Sequence, residues 1–199
     1  MDCSQNQITN LNLSGDTALF QLDCGRNQLT NLDVSANIAL NFLNCYNNWN
    51  LTNLDLSNNT SLTSLSCSGN GHNSLDLSNN TALTYFNCSD NLQLSFLDVR
   101  NGNSTNIIDF NTTYNFNLTC INVDDVAWST VNWTLANGNI DASHYFSTNC
   151  LPSAIQEHNT SKELLEVTDL LGREAKGTKN VVLFYIYDDG TVEKKIVIE

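Results

Sequence analysis

The chain has 199 residues and a net charge of −13, yet charged residues make up only 15% and proline occurs once, so Asn, Ser, Thr and Asp supply its solubility. Only Arg26 and Arg100 are basic before Lys162. That leaves no electrostatic footprint for a phosphate backbone or an anionic bilayer, and excludes nucleic acid as a partner. No run approaches the roughly 18 apolar residues of a transmembrane segment, and no charged-then-apolar export leader follows Met1.

From the first residues onward, Cys3, Cys24, Cys45, Cys67 and Cys88 recur every 21 or 22 positions behind an apolar frame, as in Leu22-Asp23-Cys24 and Leu43-Asn44-Cys45. A fixed period of this length predicts an all-β solenoid, because each unit buries its apolar face only by stacking on its neighbours. A second beat lies between the cysteines, in segments such as Leu29-Thr-Asn-Leu-Asp-Val34 and Leu51-Thr-Asn-Leu-Asp-Leu56. The inward series Cys3, Leu13, Cys24, Val34, Cys45, Leu56, Cys67, Leu77, Cys88, Val99 and Phe110 leaves no room for a helix. Two short parallel strands per turn of a flattened coil are expected. Asn6, Asn27, Asn48, Asn70 and Asn91 each fall three residues after a cysteine, and Asp16, Asn37, Asn59 and Asn80 three after the opposite strand. Such spacing predicts an inward ladder whose amides satisfy the buried bends.

Ladder cysteines on parallel strands would stand about 4.8 Å apart with parallel side-chain vectors, which does not suit a disulfide. They are expected as free, buried thiols that pack rather than react. Cys120 and Cys150 lie outside the period and flank the segment that must cover the last turn, so a bridge between them is expected in an oxidising compartment. No Cys/His clustering suggests a metal, no cofactor is implied, and His72, His144 and His158 are isolated. Between the two odd cysteines, Leu118 to Val123 reads as a final strand. Asp124 or Asp125 then caps a helical turn through Val126, Trp128, Val131 and Trp133. Trp128 and Trp133 are either a carbohydrate platform or, the favoured reading, a plug for the apolar end.

The composition changes near Leu151: six of the eight basic residues lie beyond position 161. Residues 152–161 read as a linker. Strands are expected over 163–170, 181–187 and 191–198, with Gly172 marking one turn and Gly190 supplying positive φ in the last hairpin. The domain plan is repeats over 1–111, a cap over 112–150, a linker over 151–162 and a small antiparallel β module over 163–199.

The pattern Leu-x-x-Leu-x-Cys-x-x-Asn-x-Leu-x-x-Leu-Asp-Val-Ser-x-Asn, complete from Leu19 to Asn37, resembles the cysteine-type leucine-rich repeats of bacterial internalin-like surface proteins. The resemblance covers roughly residues 1–111. It implies a curved sheet with the cysteine strands on the concave side. Two departures, His72 in a leucine slot and Phe110 where cysteine is expected, suggest loosening toward the end of the stack. The segment 123–130 resembles the close of such arrays and supports the plug. Val167-Thr-Asp-Leu-Leu-Gly-Arg-Glu174, Leu183-Phe-Tyr-Ile-Tyr187, Asp189-Gly190 and Lys194-Lys-Ile-Val-Ile-Glu199 resemble the carboxy-terminal sorting domain of the type IX secretion system, without its Tyr-Pro-Asn-Pro opening. That likeness implies engagement of outer-membrane secretion machinery by residues 163–199, and a location outside a Gram-negative cell or on its surface. Residue 1 falls inside a repeat, so the export leader and amino-terminal cap are expected upstream in a longer protein.

No positioned base, nucleophile or phosphate loop is evident, so the chain reads as a binding protein and not an enzyme. Asp23, Asp33, Asp55, Asp76, Asp98 and Asp109 lack a calcium-turn signature and read as solvated. Strand alternation turns Gln21, Asp23, Phe42, Asn44, Ser64, Ser66, Tyr85, Asn87, Ile107 and Asp109 outward, bordered by Phe20, Arg26 and Tyr46. This strip is the candidate contact for an extracellular protein or glycan. Equally, Phe42 and Tyr85 serve only to cover the sheet. A spacer presenting a missing catalytic or adhesive domain is the other functional reading.

Overall fold

The computed structural model describes residues 1–150, 164–168, 182–187 and 192–196. The chain divides into two compact units, Met1–Cys150 and Leu151–Glu199. The first unit contains the strands β1 (Gln21–Asp23), β2 (Phe42–Asn44), β3 (Ser64–Ser66), β4 (Ser74–Asp76), β5 (Tyr85–Asn87), β6 (Phe96–Asp98), β7 (Asp109–Asn111), β8 (Cys120–Asn122) and β9 (Tyr145–Ser147), with one helix, α1 (Val126–Asn132). Two parallel sheets result, one ordered β1-β2-β3-β5-β7 and the other β4-β6-β8-β9. This is a leucine-rich β-solenoid.

The strands are three residues long, with the middle residue buried. In the first sheet Leu22, Leu43, Leu65, Phe86 and Phe110 stand in register, each point inward, and each is 2% exposed or less. Cys24, Cys45, Cys67 and Cys88 form the next inward column, fully buried and free, while Cys3 at the open end is half-buried and free. Burial pushes all five thiols above their ordinary range, since a thiolate there would be desolvated. On the opposite side Leu75, Leu97, Ile121 and Phe146 align in the same way. Before Ser74 that side has no strand. There Asn37 donates to the carbonyls of Leu13 and Asp16, and Asn59 to those of Val34 and Asn37, so side-chain amides hold turns that no backbone ladder joins.

The turn after each cysteine repeats one backbone device. Gln5, Arg26, Asn47, Gly69, Asp90 and Tyr114 all adopt left-handed φ values between 52° and 64°. The next residue is then an asparagine aimed inward, and from Asn27 onward these are buried. The sequence reveals the asparagines but not the residue before them, since only Gly69, Asn47 and Asp90 are of types that favour this conformation.

Register corrects several expectations at the end of the stack. Phe110 does not occupy the cysteine position. It pairs with Phe86, and the residue that follows the cysteine column is Thr112, with Asn115 continuing the asparagine column three residues later. This turn is longer than the others, and a 3-10 helix at Ser104–Asn106 takes up the excess. Counting a uniform period therefore misplaced the outward pair. Ile107 is fully buried, and the residues that flank Phe110 outward are Asp109 and Asn111. The expected loosening is absent as well: His72 and Phe110 are both buried, and Phe110 packs 5.6 Å from Phe86 between ring centroids.

Leu118–Val123 is not the final strand, because β9 adds a further parallel rung. Asp125 caps α1, accepting the Trp128 amide at 2.9 Å. Trp133, immediately after the helix, is 2% exposed, stacks on Phe110 at 3.9 Å and 6°, and donates its indole N–H to the Ile107 carbonyl. It closes the apolar end; Trp128 meets it edge-on, and Val131 points to solvent. The bridge expected between Cys120 and Cys150 is formed and ties β8 to the end of the cap. Asp141 ends the asparagine column by accepting the amides of Tyr114 and Asn115, with the buried His144 ring against Asn115 and Thr112. The aspartates are not merely solvated. Asp23, Asp33, Asp55, Asp76 and Asp98 each accept the backbone amide two residues ahead and so fix the turn out of a strand position.

In the second unit β10 (Leu164–Thr168), β11 (Val182–Tyr187) and β12 (Val192–Ile196) form an antiparallel sheet in that order, inside the three expected spans. The linker 151–162, His158, Gly172 and Gly190 lie outside the described residues.

His72 takes the slot that Leu29 fills elsewhere, and its imidazole pKa is lowered to about 4 by burial. Below about pH 6.5 an unfolded chain binds a proton there that the folded chain refuses until about pH 4. Stability is therefore complete near neutrality and falls by about 3 kcal/mol on acidification through that window. Chemical denaturation of His72→Leu at pH 7 and pH 4.5 is expected to show a much smaller loss than the wild type, with a residue from His144, which is shifted the same way. An unchanged slope would place the titration elsewhere.

Candidate binding surface

The outward residues of the first sheet form two columns set by strand register. One runs Gln21, Phe42, Ser64, Tyr85, Asp109, and the other Asp23, Asn44, Ser66, Asn87, Asn111. Parallel rungs lie about 4.8 Å apart, so neighbours in a column touch the same ligand group. Phe42, Asn44, Ser64 and Asn87 are half-buried; Gln21 and Tyr85 are exposed.

The second column is partly engaged by the fold itself. Asp23 accepts the Gly25 amide through one oxygen and the Asn44 side chain through the other, and Asn87 and Asn111 accept the amides of Ser89 and Thr113. Those contacts fix the side chains, and the Nδ2 groups of Asn87 and Asn111 have no acceptor among the described residues. The first column carries the aromatic surface, and its residues make no such turn contacts.

Flanking residues fall on either side. Phe20, at 55% exposure, precedes β1. Past the cysteine column, the Arg26 guanidinium lies over the Tyr46 ring at 5.4 Å from its centroid. Tyr46 in turn lies flat against Gly25, where a side chain would collide with the ring. The pair thus depends on a glycine one turn away, a relationship invisible in the repeat pattern because the slot accepts serine elsewhere. A second exposed apolar group, Trp49, Leu92 and Phe116 just after the column asparagines and Tyr114 just before Asn115, lies on the turns beside that column. The sequence pattern did not single it out, since these positions vary freely between repeats. Among the described residues no cluster of His, Cys, Asp and Glu can hold a metal ion, and no helix is long and apolar enough to cross a membrane.

Neither a scan against protein-family models nor a search of curated proteins gives a match. Among solved structures the chain is similar to the functional domain of InlJ from Listeria monocytogenes, which includes a cysteine ladder. The identity is 19% and the TM-score 0.36, covering 100% of this chain and 61% of that one. The chain thus spans less than two thirds of that protein's length. The solenoid assignment stands on the register, burial and hydrogen bonding of the chain itself.

Gly25→Ala is expected to lift Tyr46 and destabilise by about 1–3 kcal/mol through overpacking, whereas Gly15→Ala, with open space around it, stays within about 0.5 kcal/mol of wild type. Urea denaturation of the two variants measures the difference. Equal midpoints would show that the Tyr46 ring is not held at this place.

Proposed function

We propose that the outer face of the first sheet binds an extracellular protein or glycan, and that the chain acts outside the cell as an interaction protein without a catalytic step. The observation that carries this reading is the pairing of rigidity with aromatic exposure. Phe42 and Tyr85 present ring surface to water on rungs fixed by continuous ladder bonds, with Arg26 stacked on Tyr46 beside them. Pre-organised aromatic and arginine side chains lose little freedom on binding, which is why such residues dominate contact energies. A disulfide between Cys120 and Cys150 is in keeping with an oxidising, extracytoplasmic setting.

Residues 163–199 extend the reading: by their resemblance to type IX sorting domains they would direct export across the outer membrane of a Gram-negative bacterium. Fusing residues 151–199 to a reporter already exported to the periplasm of a type IX-secreting host is expected to place it outside the cell. Retention in the periplasm would overturn the export part and leave the binding part standing.

The binding part is tested by comparing the wild type with Phe42→Ala/Tyr46→Ala on arrays of purified extracellular proteins and glycans. Truncating two anchors should weaken the wild-type interaction by roughly tenfold or more, since a single anchor is commonly worth over 1 kcal/mol. Identical profiles would favour a spacer whose repeats carry another domain.

A further inference from the structure

The cap end of the first sheet differs from the other rungs. There Tyr85 pairs with Asp109 and Asn87 with Asn111 across β5 and β7, and the loop Asn137–Asn139 stands beside them to line an open cavity of about 260 Å³. The loop is fixed by its own bonds: the Asn139 carbonyl accepts the Thr112 amide at 2.8 Å, and its side chain donates to the Phe110 carbonyl at 2.8 Å and accepts from the Thr134 amide at 3.0 Å. Gly138, at φ +70°, leaves open space where a side chain would project.

The chemistry on offer is specific. Among the described residues the Asp109 carboxylate accepts no hydrogen bond, whereas Asp23, in the other column and four rungs away, spends both oxygens on Gly25 and Asn44. Asn87 and Asn111, both lining the cavity, use Oδ1 on backbone amides, and neither Nδ2 has an acceptor among the described residues. Tyr85 adds a ring that is 38% exposed. Donors and an acceptor therefore converge beside one aromatic surface, on a patch of about 4.8 by 6.8 Å set by strand spacing and rise. Hydroxyl groups both donate and accept, so a polyol matches a carboxylate flanked by amides. The absence of Arg or Lys from the lining, in a chain of net charge −13, disfavours an anion, and a lone carboxylate is a poor cation cage.

We propose that this cavity is a site for one neutral sugar ring, held by Tyr85 against its apolar face and by Asp109, Asn87 and Asn111 on its hydroxyls. The proposal rests on the reading of this sheet face as the binding surface and names one ligand class for its cap end. Saturation-transfer difference NMR tests it with the wild-type chain and the methyl glycosides of glucose, galactose, mannose, N-acetylglucosamine and N-acetylgalactosamine, each at millimolar concentration. Transfer to the ring protons of at least one glycoside is expected. Tyr85→Ala should abolish it, and Asp109→Asn, which keeps the shape and removes the charge, should weaken binding about tenfold. Ile38→Ala, exposed on a different turn, should leave it unchanged, with thermal midpoints confirming that all variants fold. No transfer from any of the five glycosides, transfer indifferent to both pocket substitutions, or transfer only to a lysine tripeptide would overturn the site. If the Phe42- and Tyr46-dependent contact persists while no glycoside binds, the pocket fails and the wider reading stands. Glycoside binding without that contact supports the pocket alone.

Discussion

One hydrogen-bonding unit, repeated along the core, underlies the rest of the first unit. A buried asparagine donates through Nδ2 to the carbonyl of its own turn's cysteine and to that of the turn before, and accepts through Oδ1 a backbone amide of the earlier turn. Asn27, Asn48, Asn70, Asn91 and Asn115 all do this, with Thr112 replacing the cysteine in the last case. A chain that reverses direction every few residues inside an apolar core would otherwise bury unpaired backbone groups, each costing about 1–3 kcal/mol. The left-handed residue before each asparagine is the backbone cost of aiming it inward. At the cap Asp141 does with two carboxylate oxygens what another asparagine would do, so the column terminates without leaving the Tyr114 and Asn115 amides bare.

Function depends on this interior only indirectly. Because the amide column and the ladder bonds fix rung spacing, the side chains of the first outward column sit on a sheet whose turns they do not hold. Gln21, Phe42, Ser64 and Tyr85 are chemically unlike, yet they occupy equivalent places. Such a scaffold permits the outer column to change without disturbing the core. Asn87 and Asn111 of the second outward column have a double character: Oδ1 fixes the turn, and Nδ2 has no acceptor among the described residues.

The repeat was legible because its determinants are strictly periodic. Cysteine, leucine and asparagine at fixed offsets imply burial, and the two odd cysteines stood out by breaking that rhythm. What was not legible came from places where the period itself changed. Extrapolating the step from Cys88 put Phe110 in the wrong column and turned Ile107 outward, because the inserted 3-10 helix has no signature in the leucine pattern. Polar residues were also under-read. His72 looked like a defect, although an imidazole fills a leucine slot when the Asn91 side chain meets its backbone amide. The aspartates looked like solvated charges because an Asx turn needs only the next two residues, a local cue hidden inside the longer repeat. On the candidate surface, alternation identified the outward columns. The dependence of Tyr46 on Gly25 and the wall formed by Asn137–Asn139 arise from contacts between turns and cap, which no single repeat encodes.

Buried amides, more than apolar contact alone, hold consecutive turns in register. Equilibrium urea denaturation of Asn48→Ala beside Asn50→Ala tests this directly, since Asn48 is fully buried with bonds into two neighbouring turns while Asn50 is exposed. Orphaning the Leu29 amide and removing one of the two amide bonds on each of the Cys24 and Cys45 carbonyls, which keep Asn27 and Asn70, should cost Asn48→Ala about 2 kcal/mol or more, with Asn50→Ala near wild type. Equal stability of the two variants would show that the amide column does not hold the turns in register.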